Sequence, residues 1–193
     1  EVEPVGSPGA NTPLLSLRLP PLRLAPLTLA FTRPHLQGSA PTKTTGRNQM
    51  VSELSARLQG VVDALPLRPG LRVLEIGGAP GAAARVVARK VGPSGHVLVV
   101  DRSAAGIAAT QRACKEEIKN GTLSTLCAPA EDFVLPIDVP QFDLAFGCRV
   151  GALDGRHPHL FEPALACISN ALISTGRLFV DTGNPLTEID LHR

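Results

Sequence analysis

Residues 71–101 constrain the fold of this chain more than any other stretch. They read Leu-Arg-Val-Leu-Glu-Ile-Gly-Gly-Ala-Pro-Gly from Leu71 and close His-Val-Leu-Val-Val-Asp at Asp101. The run 73–76 is short, rich in branched residues and bounded by turn signals, so it reads as a buried strand. A glycine turn follows at 77–81, then a helical stretch at 82–91, and Gly92-Pro93-Ser94-Gly95 breaks that helix. A second apolar strand over 97–100 ends at Asp101. Strand, glycine turn, helix, strand and terminal acid, in that order, make half of a doubly wound α/β unit that binds a nucleotide.

The chemistry of such a unit follows from its parts. Glycine adopts dihedrals closed to other residues and lets the backbone approach a ligand. The helix starts right after the turn, so its free N–H groups face that ligand. The second strand lies beside the first, which brings Asp101 to the same sheet end, where a carboxylate can accept both hydroxyls of a ribose. A dinucleotide fingerprint would read G-x-G-x-x-G/A. Aligned on Gly77, the chain has Ala79 at the second glycine, and Pro80 removes an N–H donor, so a pyrophosphate is a poor fit. The stretch Glu75-Ile76-Gly77-Gly78-Ala79-Pro80-Gly81 instead resembles the E/D-x-G-x-G-x-G motif of class I S-adenosylmethionine-dependent methyltransferases, with Ala79 in place of the middle glycine. A nicotinamide enzyme, or a glycine turn that binds no nucleotide, is the competing reading.

Three later segments are similar to the same family. Pro129-Ala130-Glu131-Asp132 follows an expected third strand at 123–128 and looks like the loop that contacts the adenine, with Pro129 where the family pattern has Asp; Glu131 or Asp132 would replace that contact. Phe142-Asp143-Leu144-Ala145-Phe146-Gly147 is expected as strand four, and residues 171–180 resemble the family's approach to strand five. The resemblance covers residues 50–183. It implies an α/β fold, a doubly wound, mostly parallel sheet of order 3-2-1-4-5 in a three-layer Rossmann-like arrangement, without the C-terminal hairpin. It implies S-adenosylmethionine as cofactor. Glu75 and Gly77, Gly78, Ala79, Pro80 and Gly81 would hold its amino-acid end, Asp101 and Arg102 its ribose, Ala130 and Glu131 its adenine edge, and Gly147 and Cys148 would lie beside the methyl group. His157, with His159 nearby, is the base candidate by location. No D/N-P-P-Y/F follows strand four, which disfavours amino methylation of DNA bases.

Composition narrows the partners. The net charge is +2 with the charges scattered, and aromatics are 3% with no Trp or Tyr. A basic footprint or stacking platform for nucleic acid is therefore not visible, and a small-molecule acceptor is expected, with a protein or RNA acceptor as the alternative. The four cysteines lack metal-site spacing and read as reduced core thiols of a cytoplasmic protein, with no metal site. No apolar run is long enough to span a membrane.

The chain divides into two parts. Residues 1–49 hold eight of the 18 prolines and only Glu1 and Glu3 as acids, and read as a low-order Pro/Leu-rich leader. An upstream extension before Met50, or a transit peptide, are the other readings. Residues 50–193 are expected to form the methyltransferase-like domain. Leu54, Leu58, Val61 and Leu65 mark one helix face, Ala104, Ile107, Cys114 and Ile118 another, and Phe161, Leu165, Ile168 and Leu172 a third. With no sixth strand expected, strand five is left as an edge, an association hazard that suggests a homodimer. A methyltransferase-like subunit without activity of its own is the alternative function, motivated by the same missing hairpin.

Overall fold

In the computed structural model of the chain the described residues are 54–191, and the expectations for residues 1–49 lie outside them. The chain begins with α1 (Ala56–Ala64), β1 (Arg72–Ile76), α2 (Ala82–Val91) and β2 (His96–Asp101). It continues through α3 (Ala104–Ala113), α4 (Lys115–Lys119), β3 (Leu123–Cys127) and β4 (Phe142–Gly147). A 3-10 turn (Pro158–Leu160), α5 (Phe161–Ala171), β5 (Leu172–Val180) and β6 (Thr187–Ile189) complete it. The strands form a single sheet of order β3-β2-β1-β4-β5-β6, parallel except for the last pair.

Alternation along the strands divides the core between two faces. Val73, Val97, Val99, Leu144 and Phe146 pack with α2 residues such as Ala84, Val87 and Val91. Leu74, Ile76, Leu98, Val100 and Ala145 pack on the opposite face with Ala164 and Ile168 of α5. Both faces are covered, which is why β1 and β2 read as near-continuous apolar runs. At about 25 cal/mol per Å², each fully buried valine or leucine in these layers contributes roughly 1.5–3 kcal/mol.

The structure corrects the expected topology at its far edge. Thr187–Ile189 pairs antiparallel with β5, Val180 facing Thr187 and Leu178 facing Ile189. Strand five is therefore not the edge strand, and the motive for association through it is removed. Three residues are too few for alternation to be recognised in a sequence. Two helical expectations also change. The helix after Asp101 is interrupted at Cys114 and becomes α3 and α4, and Leu172 opens β5 rather than continuing the α5 face. Ser103 caps α3, its Oγ accepting the Gly106 N–H at 3.0 Å.

Candidate active site

Register decides what meets at the carboxyl rim of the sheet. Ile76 lies beside Val100 and Gly147, Gly147 beside Val180, and Asp101 beside Cys127. Gly77, Cys148 and Asp181, each one residue past a strand end, therefore emerge along one rim together with Asp101. Open parallel sheets place ligands there.

The glycine turn is built as its sequence requires. Gly77 and Gly81 have φ of 68° and 88°, in the left-handed region, and Gly81 is the residue from which α2 starts. Gly78 has a packing reason: a Cβ there would lie 2.6 Å from the Glu75 carboxyl carbon. Glu75 shares the face of Val73, so its side chain runs under the first turn of α2. Its residue is 3% exposed, and Oε2 has no hydrogen-bond partner. Desolvation pushes its carboxyl up to about 8; the Ala84 backbone N–H pulls the other way, and the Asp101 charge adds a further rise.

Asp101 ties the turn to the second strand. Its Oδ2 accepts the Ala79 N–H at 3.2 Å and its Oδ1 accepts the Ser103 N–H at 2.8 Å. The carboxylate also lines a cavity of about 250 Å³ whose walls include Gly77, Arg102, Ala130, Glu131, Arg156 and His157. A second cavity, of about 300 Å³, is lined by Glu75, Gly78, Ala79, Pro80, Cys148 and Arg57. Gly77 and Arg149 line both. The two together lie within the usual range for small-molecule pockets, about 300–1,000 Å³.

The loop after β4 closes over this junction. Val150 packs on Gly77, where a Cβ would lie 3.0 Å from its Cγ2. Arg149 has φ of 56°, the one positive value at a non-glycine position among the described residues. Asp181 accepts its N–H at 2.9 Å, and Arg156 donates to its carbonyl while pairing with Asp154 at 2.7 Å. The Asp181 carboxylate is 8% exposed and also receives the Arg57 guanidinium from α1.

Most of the expected site residues come together here. Gly77, Asp101, Arg102, Ala130 and Glu131 face the first cavity; Glu75, Gly77, Gly78, Ala79, Pro80 and Cys148 face the second. Gly81 and Gly147 line neither and act through the backbone around them. Of the two histidines, His157 lines the first cavity, on the Asp101 side of the junction, and His159 does not. The Cys148 thiol is pushed up to about 12, chiefly by burial and then by the Asp181 and Glu75 charges, so it offers no thiolate. Cys127 is exposed, and Cys148 and Cys167 are partly so, which corrects the expectation of four core thiols. Sequence reasoning missed Arg57, Arg149, Arg156 and Asp181. They come from separate segments, and only the fold brings them to one cleft.

The residues fit an adenosyl cofactor on two observations of the molecule itself. An orphaned carboxylate oxygen, that of Glu75, lies under the cleft, and the carboxylates of Asp101 and Glu75 line two cavities that meet at Gly77. Known proteins agree. A family model described as protein-L-isoaspartate(D-aspartate) O-methyltransferase matches residues 39–129. The ribosomal RNA large subunit methyltransferase E of Sorangium cellulosum is 34% identical over 117 residues, 59% of this chain and 53% of that protein. The rRNA 2'-O-methyltransferase fibrillarin of Debaryomyces hansenii is 42% identical over 69 residues, 35% of this chain and 21% of that protein. A SAM-dependent methyltransferase from Geobacter sulfurreducens, solved in complex with S-adenosyl-L-homocysteine, shares the fold with a TM-score of 0.50 at 19% identity, covering 64% of this chain and 46% of that one. The chain spans about a fifth to about half the length of these two curated relatives. Their names overturn the expectation of a small-molecule acceptor without RNA: net charge and aromatic content report averages, and neither registers arginines that converge only in the fold. No helix among the described residues is long and apolar enough to cross a membrane. The glycine-turn sheet, the cleft at its carboxyl rim and these relatives agree: the chain has the fold of, and resembles, the class I, Rossmann-like S-adenosylmethionine-dependent methyltransferases, whose cofactor is S-adenosylmethionine.

Proposed function

We propose that this chain transfers a methyl group from S-adenosylmethionine to a nucleotide of RNA. The observation that carries the reading is the pair of cavities joined at Gly77 and Arg149, one with Asp101 and Glu131, the other with the α2 N-terminus and Glu75. Asp101 receives the ribose hydroxyls, and Ala130 and Glu131 border the adenine. Glu75 and the turn at 77–81 hold the amino-acid end, where free helix N–H groups favour a carboxylate. Bound S-adenosylmethionine supplies an activated methyl group carried on an excellent leaving group. The chain then contributes mainly proximity and orientation, which can account for about 7–11 kcal/mol of a barrier. Gly147 and Cys148 border the point of transfer, and a protonated, half-buried thiol there is an unreactive wall. RNA as acceptor is supported by the names of the relatives and by Arg57, Arg102, Arg149 and Arg156, all lining the cleft.

The test is incubation of the full chain with methyl-labelled S-adenosylmethionine and three acceptors: an unmodified large-subunit ribosomal RNA transcript, an isoaspartyl peptide and a quinone precursor. Label in nuclease-sensitive material is expected. Label in the peptide or the quinone alone moves the acceptor out of the RNA class. No label anywhere, with S-adenosylhomocysteine shown to bind, removes the enzymatic reading.

A further inference from the structure

We propose that Arg149 is the anchor for a phosphate of the acceptor RNA at the junction of the two cavities, an assignment that rests on the RNA reading above. Arg149 lines both cavities, so its position is where the donor's two halves and an incoming acceptor meet. Its backbone is held in a conformation that L residues rarely adopt, with φ of 56°. Such strain persists where surrounding contacts over-determine it, and it concentrates at ligand clamps. Here the contacts are explicit. Asp181 fixes the Arg149 N–H at 2.9 Å, and Asp181 is itself held by Arg57 and by its own N–H to the Gly147 carbonyl at 3.3 Å. Arg156, locked onto Asp154 by hydrogen bonds of 2.7–3.0 Å, fixes the Arg149 carbonyl.

The guanidinium presented by this scaffold has no carboxylate or carbonyl partner among the described residues, although Arg57 and Arg156 on either side are both paired. A packing role would leave no reason to hold a strained backbone while the charge stays unspent. A planar fork of donors matches a phosphate in bidentate fashion. The cofactor's own anionic group already has the α2 N-terminus, which leaves the acceptor as the source of the anion.

Glycine separates the backbone from the side chain in the test, because it adopts positive φ without strain. Arg149→Gly in the full chain should keep or raise the melting temperature and weaken S-adenosylhomocysteine, whose cavities Arg149 also lines, by much less than it weakens RNA, as read by calorimetry. Its affinity for the large-subunit ribosomal RNA transcript should fall about tenfold, as for the loss of one charge-assisted hydrogen-bonded contact. The slope of log K against log salt should become shallower by about 0.7–1. Arg149→Lys, which keeps the charge, should recover part of the binding. A matching loss of S-adenosylhomocysteine affinity would assign the guanidinium to the cofactor and overturn the proposal. So would RNA binding by Arg149→Gly equal to wild type, which leaves the RNA reading itself standing. Wild-type protein that binds no RNA removes both at once. If Arg149→Gly melts lower, Arg149→Lys decides: RNA binding within threefold of wild type supports the anchor, and loss as complete as in the glycine variant overturns it.

Discussion

Asp101 holds protein and faces ligand with the same carboxylate. Because it accepts the Ala79 and Ser103 N–H groups, it secures the glycine turn and the start of α3 while lining the first cavity. Asp101→Ala should therefore weaken S-adenosylhomocysteine at least about tenfold, each charged hydrogen bond contributing roughly 1.5–3 kcal/mol. It should also lower the melting temperature of the ligand-free protein by a few degrees. Calorimetric titration and thermal melts read the two effects separately, and an unchanged affinity would sink the ribose assignment. Glu75 supports a second prediction. Its carboxyl, raised from 4.5 to about 8 in the fold, binds a proton in the folded state over a pH range where the unfolded chain has lost it. Stability from this group is therefore fully present below about pH 4.5 and is lost as pH rises through about 8. Glu75→Gln removes the titration, so the difference in melting temperature between wild type and variant should grow in the variant's favour from pH 5 to pH 9. Parallel pH profiles for the two proteins would refute the buried proton.

At the scale of elements, the site depends on how closely α2 starts against α3. Gly81 opens α2 with φ of 88°, and a Cβ there would lie 2.7 Å from Thr110 Cγ2 and 2.9 Å from Cys114 Sγ. Thr110 and Cys114 are fully buried. Gly81→Ala combines backbone strain with overpacking and should cost about 2–4 kcal/mol. Thr110→Ser, which deletes the offending methyl, should restore part of that in the double variant. Urea denaturation checks both, and an additive double variant would show that the two residues do not clash. The β5–β6 pair behaves differently. Arg177 and Glu188 join it at 2.6–2.7 Å, but both side chains are about half exposed, 49% and 46%. Exposed pairs of this kind contribute about 0–1 kcal/mol. Glu188→Ala should accordingly leave the unfolding midpoint within a degree or two, whereas a loss beyond that would show that the ion pair, rather than strand pairing, holds β6.

The whole molecule turns dispersed charges into a cleft. Arg57 comes from α1, Arg102 from the end of β2, and Arg149 and Arg156 from the loop after β4, yet all four line the paired cavities. RNA affinity should therefore fall steeply between about 50 and 200 mM salt by counterion release, while S-adenosylhomocysteine affinity stays nearly constant. Filter binding and calorimetry across that range check it, and a salt-independent RNA affinity would count against phosphate contacts. What the sequence determined by itself was the frame: mainly apolar strands at 73–76, 97–100 and 142–147, the glycine turn and Asp101 at its strand end. Those features are local, set by side-chain period and by the dihedral limits of glycine, so they are written in neighbouring residues. What only the tertiary structure decided was long-range. The three-residue β6 pairs with the edge that β5 offers, Cys114 at the break between α3 and α4 is buried against Gly81, and the Arg57–Asp181–Arg149 cluster joins residues up to 124 positions apart. Contacts at such separations arise from register and crossover geometry, which leave no periodic signature in the chain.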